Sequence, residues 1–145
     1  MPRYDQERVV RLVSELRKAL DRLRKLSKLK AIDFTGDPDK VGSAKYHFIV
    51  AIESCIDLCN HIIAQNGYRV PEDYGDTFTV MAEVGALEPS FAEELKEMAK
   101  FRNRLVHIYW QVDDSIVYDI MTTKLEDIKD FLNATATFLG WDDET

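Results

Sequence analysis

Residues 101–110 read FRNRLVHIYW, and the placement of this stretch decides the fold. Its apolar residues continue a series that begins at Phe91 and runs through Leu95, Met98, Phe101, Leu105 and Tyr109. Steps of three and four residues mark one face of an amphipathic helix. With Met98 at zero and about 100° per residue, Phe91 and Tyr109 fall at about 20°, Leu95 at about 60°, Leu105 at about −20° and Phe101 at about −60°. Arg102 lands at about 40°, inside this packed stripe, whereas Asn103 at about 140° and His107 at about 180° lie on the far side.

The same period extends through nearly the whole chain, and no alternating strand pattern, internal repeat or low-complexity segment interrupts it. A first helix over about 5–30 carries Val9, Leu12, Val13, Leu16, Leu20, Leu23 and Leu26. The turn DFTGDPDK follows, with Asp37 suited to cap a second helix and Pro38 to its first position. Gly67 stops that helix. After the loop GYRVPEDYG, a short helix over about 75–84 ends at Gly85. The next helix starts at EPSFAEEL, where Ser90 and Glu93 have capping-box spacing, and it is expected to run to about Tyr109. Asp113 or Asp114 then caps a final helix carrying Ile116, Val117, Ile120, Met121, Leu125, Ile128, Phe131, Leu132 and Phe138, with Gly140 as its stop; the closing WDDET reads as a frayed tail. Four long helices on short connections predict an all-α, up-and-down four-helix bundle with one additional short helix, in a single domain over 1–145.

A chain of 145 residues, 46% hydrophobic and 31% charged, has the balance of a soluble globular protein. No apolar run approaches the roughly 18 residues of a membrane span. The opening MPRYDQERVV is charged, unlike a secretory or transit segment, so a cytoplasmic protein without membrane association is expected. Cys55 and Cys59 sit one turn apart on an apolar stripe with Ile52, Ile56 and Ile62, and read as small core residues. A zinc site would need two further ligands, so neither metal nor cofactor is expected. The net charge of −7 hides an asymmetry: residues 1–30 hold ten Lys or Arg against four Asp or Glu, a net +6, and the remainder a net −13. A basic first helix could follow phosphates or be a solvated face. In an acidic chain any grip on nucleic acid must be local.

An arginine on a packed stripe breaks a local rule, and such breaks concentrate at functional sites. Burial of the Arg102 guanidinium demands a carboxylate from a neighbouring helix, a cleft or a ligand. His107 is either an idle surface histidine or a proton-transfer group. The two are five residues apart, about 140° around a straight helix. Meeting on one phosphate would need a helix distortion or the same helix of a second copy across a two-fold axis.

The string RNRLVHIYW, followed by VDDSIVYDI, resembles the R-x-x-x-x-H-x-Y signature of the HepT family of HEPN-domain toxins, carried here by Arg102, His107 and Tyr109 with Asn103 in the polar position after the arginine. The upstream stretch YHFIVAIESCIDLCNHIIAQNGYRVPEDYGDTF is similar to that family's second helix and following loop, so the likeness spans about 5–139. It implies a dimeric, metal-independent ribonuclease, the toxin of a type VII toxin–antitoxin pair, acting on RNA (tRNA among the candidates). Arg102 and His107 would be catalytic and Asn103 supporting. The antitoxin partner would be a minimal nucleotidyltransferase that transfers AMP to Tyr109. Two other readings stand beside it: a non-catalytic helical partner or substrate-binding subunit of a nucleotidyltransferase, and a structural helical module with Arg102 in an internal ion pair.

Overall fold

The computed structural model describes residues 1–141. Among them are helices α1 (Gln6–Ser27), α2 (Ala31–Thr35), α3 (Pro38–Asn66), α4 (Tyr74–Glu83), α5 (Pro89–His107), α6 (Asp114–Thr123) and α7 (Leu125–Leu139), with a 3-10 turn at Tyr109–Gln111 and no strand. The expected all-α bundle is present. The expectation for WDDET falls, beyond Trp141, outside the described residues.

Helix α3 is the axis of the bundle. Asp37 accepts from the backbone N–H groups of Asp39 and Lys40, Pro38 occupies the first turn, and Gly67 closes the helix at φ 64°. The 29-residue helix is long and apolar enough, by length and composition, to cross a bilayer, contrary to the sequence expectation. An average over 18 residues tolerates the polar residues that break an unbroken run. However, 56% of that window is buried inside the bundle, as a core helix requires. Cys55 and Cys59 are buried, free thiols, and burial pushes both well above the ordinary thiol range, which leaves them inert.

Three aromatic pairs join the helices. Phe48 of α3 meets Phe101 of α5 edge to face at 5.3 Å, Phe78 of α4 meets Phe131 of α7 at 6.0 Å, and Phe34 of α2 meets Tyr118 of α6 at 5.6 Å. Such pairs contribute about 0.5–1.5 kcal/mol each beyond the area they bury. Tyr118 also donates its hydroxyl to the Leu29 carbonyl at 2.6 Å, which ties α6 to the connection after α1.

Boundaries differ from expectation where local chemistry competes with the helix. The one-turn α2 forms at the start of the predicted turn DFTGDPDK, overlapping its first three residues. Helix α5 is preceded by Glu88 as its cap, without a side-chain bond, and the Ser90–Glu93 capping box does not form. Pro89, with its fixed φ and missing N–H, takes the first position instead, and Glu93 pairs with Lys96 at 3.4 Å. The predicted final helix is two helices, parted at Lys124 (φ −117°, ψ 0°). Just before the break, Thr122 and Thr123 turn their hydroxyls onto the carbonyls of Tyr118 and Asp119, competition that bends helices.

The start of the chain is tied to the far end of α3. Asn66 accepts the Arg3 backbone N–H at 2.7 Å and donates to the Arg3 carbonyl at 2.9 Å, while His61 Nε2 accepts the Asp5 N–H at 2.9 Å. Nε2 can accept only from a neutral imidazole. Burial first, then the charge of Arg8, lowers the His61 pKa, against an opposing pull from Asp5. A depressed histidine pKa means that the unfolded chain binds the proton more readily. This contact is therefore complete above the ordinary histidine value of 6.5 and is lost as pH falls through the lower folded value. The protection of the Asp5 amide against exchange, relative to the unfolded rate at the same pH, is expected to fall as pH drops below the ordinary histidine value of 6.5; His61→Gln, able to accept without titrating, should flatten that profile, and an unchanged profile would show that His61 does not hold the start of the chain.

Candidate active site

Helix α5 packs Phe101 and Leu105 into the core beside α3, and this registers Arg102 against Glu53. The guanidinium Nε and Nη2 both donate to Glu53 Oε1, at 3.0 and 2.6 Å, and Nη1 donates to Asn103 Oδ1 at 3.0 Å. The Tyr74 ring covers one face, its centroid 4.9 Å from the guanidinium carbon. The Arg102 side chain is only 12% exposed, that of Glu53 40%. Of the answers open for a buried guanidinium, a single chain supplies the carboxylate. The pair does not saturate the arginine: of five N–H donors, the three bonds leave one on each Nη.

The helix expected to reach Tyr109 ends two residues earlier. Ile108, at φ −133° and ψ 41°, leaves the helix, its N–H still bonded to the Arg104 carbonyl. The chain then tightens into the 3-10 turn, where Gln111 donates to the Ile108 carbonyl at 2.8 Å. Lys45 of α3 secures this turn. The residue is 5% exposed, and its ammonium donates to the carbonyls of Tyr109 at 3.1 Å and Val112 at 3.4 Å. The ammonium lies 3.6 Å from an Asp114 carboxylate oxygen and 4.4 Å from the centre of the Tyr109 ring. The Tyr109 hydroxyl rests beside Gly42, where a Cβ would stand 3.7 Å from it.

The helix on which Arg102 and Tyr109 were placed together is interrupted at Ile108, and both side chains meet α3. Their partners on α3, Gly42 and Lys45 against Glu53, are separated by roughly 12–16 Å at 1.5 Å per residue. Arg102 and Asn103 are brought together. His107 is exposed in the last turn of α5, on the far side from Arg102 by the helical spacing. Tyr109 is 41% exposed, with Val106 and Trp110 exposed beside it in the chain. Sequence reasoning missed Glu53, Lys45 and Tyr74. The available signal was a charged residue within the apolar run of α3, at SAKYHF and again at AIESC.

Glu53→Ala leaves a mostly buried guanidinium without its carboxylate and is expected to lower stability by about 1–3 kcal/mol in urea unfolding; a loss below about 0.5 kcal/mol, within ordinary surface variation, would show that water replaces the carboxylate freely. Lys45→Met keeps the volume but removes the donor to two carbonyls. Hydrogen exchange across residues 108–113 should rise with a stability loss of about 1–3 kcal/mol, and protection equal to that of the unmodified chain would mean that the turn holds itself.

Comparison with known proteins agrees with this architecture. Residues 16–135 match the family model described as Ribonuclease HepT-like. The chain is 33% identical over 81 residues to the mRNA nuclease HepT of Shewanella oneidensis, an alignment that covers 56% of this chain and 61% of that relative. It is 32% identical over 95 residues to a putative RNase of Archaeoglobus fulgidus, covering 66% of this chain and 68% of that one. The fold superposes with a TM-score of 0.84, at 23% identity, on the tri-AMPylated Shewanella oneidensis HEPN toxin in complex with MNT antitoxin, covering 92% of this chain and 99% of the toxin. With most of its length matched, and the Arg102, Asn103, His107 and Tyr109 string inside the matched region, this chain belongs to the HepT-like family.

Proposed function

We propose that the chain is a metal-independent ribonuclease toxin, acting in the cytoplasm as a symmetric dimer and silenced by a minimal nucleotidyltransferase that adds AMP to Tyr109. The observation that carries this reading is the ordered string Arg102, Asn103, His107, Tyr109 across the end of α5, inside the family match. Beyond the helix break Tyr109 lies over Lys45 and Gly42 of α3 and stays 41% exposed. Exposed Val106 and Trp110 (41% and 76% exposed) flank the stretch from His107 to Tyr109 and supply apolar surface for a second copy. A two-fold through this face would set the imidazole of one chain near the guanidinium of the other.

The residue types suit strand cleavage without metal. His107 takes the proton of a ribose 2′-hydroxyl as O2′ attacks the adjacent phosphorus, and an imidazolium returns a proton to the departing 5′-oxygen. The products are a 2′,3′-cyclic phosphate and a 5′-hydroxyl. Arg102, permanently charged and forked, neutralises the phosphorane through its two remaining N–H groups; Glu53 then acts as the brace that aims it. Asn103, bonded to Nη1, supports the same orientation. Nucleotidyl transfer joins the Tyr109 phenolic oxygen to the α-phosphorus of ATP, with release of pyrophosphate and the phenolic proton, and adds a bulky anion to the turn. The solved relative described as tri-AMPylated and bound to MNT antitoxin supports that partner and that chemistry here.

A second reading is favoured by the Arg102–Glu53 pair: a non-catalytic partner subunit in which the arginine is structural. The two separate in one experiment. Arg102→Ala and His107→Ala are each expected to reduce RNA cleavage roughly 100-fold or more and to relieve growth inhibition, while Tyr109→Phe remains active in the presence of the nucleotidyltransferase and ATP. Cleavage at the unmodified rate by both alanine variants would take Arg102 and His107 out of the chemistry, and nucleotidyltransferase binding without RNA cleavage by the unmodified chain would overturn the catalytic reading in favour of the partner subunit.

A further inference from the structure

An acidic chain that cleaves a polyanion needs a local place to hold it, and the structure has a groove suited to that on the other flank of α3. Along α1, Arg11, Lys18, Arg22 and Lys25 are exposed and share one stripe. At about 100° per residue they fall within about 60° of one another, over roughly 21 Å of helix. Lys18, Arg22 and Lys25 form one wall of a groove of about 390 Å³, and Tyr46, His47 and Val50 of α3 form the other. Tyr46 is 61% exposed. It is braced edge to face by the His47 ring at 5.1 Å and 87°, and His47 is fixed in turn by its Nδ1 donating to the Ser43 carbonyl at 2.7 Å. Two carboxylates, Glu15 and Asp21, also line the groove. Glu15 lies 3.9 Å from Lys18 with both side chains more than half exposed, a pair too solvated to neutralise the wall.

We infer that this groove between α1 and α3 is a binding track for single-stranded RNA, with Lys18, Arg22 and Lys25 on the phosphates and the Tyr46 ring as a base-stacking platform. This rests on the ribonuclease reading and deepens it. A row of cations facing an exposed, immobilised aromatic is the arrangement that holds single strands with little sequence preference. The groove also leads to the candidate site: Tyr46, Val50 and Glu53 stand at i, i+4 and i+7, one face of α3, and Glu53 carries Arg102. A strand that stacks on Tyr46 is about 10 Å from that pair along the helix.

The test uses a fluorescent 2′-O-methyl oligonucleotide, which lacks the attacking hydroxyl, so that the unmodified protein can be titrated by anisotropy. Replacing Lys18, Arg22 and Lys25 together by Gln is expected to weaken binding at least tenfold. The slope of log K against log salt should fall by about two, since each phosphate contact on a single strand contributes about 0.7. Tyr46→Ala should weaken binding at least fivefold, the low end for one lost stack, with an unchanged salt slope, and Tyr46→Phe should restore it. Circular dichroism checks that each variant folds. Binding and slope equal to those of the unmodified protein in both the Gln and Tyr46→Ala variants would overturn the track, while undiminished cleavage by the unmodified chain would leave the nuclease reading standing. Loss of nucleotidyltransferase binding with RNA affinity intact would overturn it too, by making the groove a protein-docking surface. If the unmodified protein neither binds nor cleaves RNA, the nuclease reading fails, and the track with it.

Discussion

The ammonium of Lys45 is the interaction on which the candidate site depends. A lysine buried to 5% exposure is unfavourable unless oxygens surround it. Lys45 obtains them from the Tyr109 and Val112 carbonyls and the Asp114 carboxylate. Those oxygens are accessible because α5 has ended. Had the helix continued through Tyr109, its carbonyls would have pointed along the helix axis toward later N–H groups. The break at Ile108 and the buried cation therefore stabilise one another, and their joint effect is to turn the Tyr109 phenol off the line of α5 and lay its hydroxyl against Gly42.

Helix α3 supplies a charged partner both to α5 and to the turn that follows it. Near its start, Lys45 holds the turn after α5; two turns on, Glu53 holds Arg102. The same helix presents Tyr46 between them to the groove beside α1. One element thus sets the spacing between the guanidinium, Tyr109 and the basic wall. Because α3 is itself anchored by buried apolar residues along most of its length, these distances are those of a rigid rod, the support that a reactive geometry needs.

The Arg102–Glu53 pair also bears on how a shared family string can serve either chemistry or assembly. A carboxylate on a catalytic arginine is compatible with phosphate binding only if donors remain, and the use of a single Glu53 oxygen by Nε and Nη2 leaves them. The same contact would serve a purely structural arginine equally well. Family membership rests on the matched residues 16–135, and the chemistry assigned to the string rests on what Arg102 and His107 do to RNA.

Much of the architecture was readable from residues a few positions apart. Apolar recurrence at three and four residues identified the helices, Asp37 with Pro38 and the glycines at 67 and 140 set ends that the backbone adopts, and Cys55 and Cys59 fell in the core as their stripe implied. Each of these is settled by interactions within about one turn of helix, so local composition suffices. The breaks at Ile108 and Lys124, the carboxylate on Arg102 and the oxygens around Lys45 were not readable in this way. Glu53 lies 49 residues from Arg102 and Lys45 lies 64 from Tyr109. Which charge meets which acceptor over such separations depends on how α3, α5 and the following turn pack, and periodicity along one helix carries no information about the helix beside it.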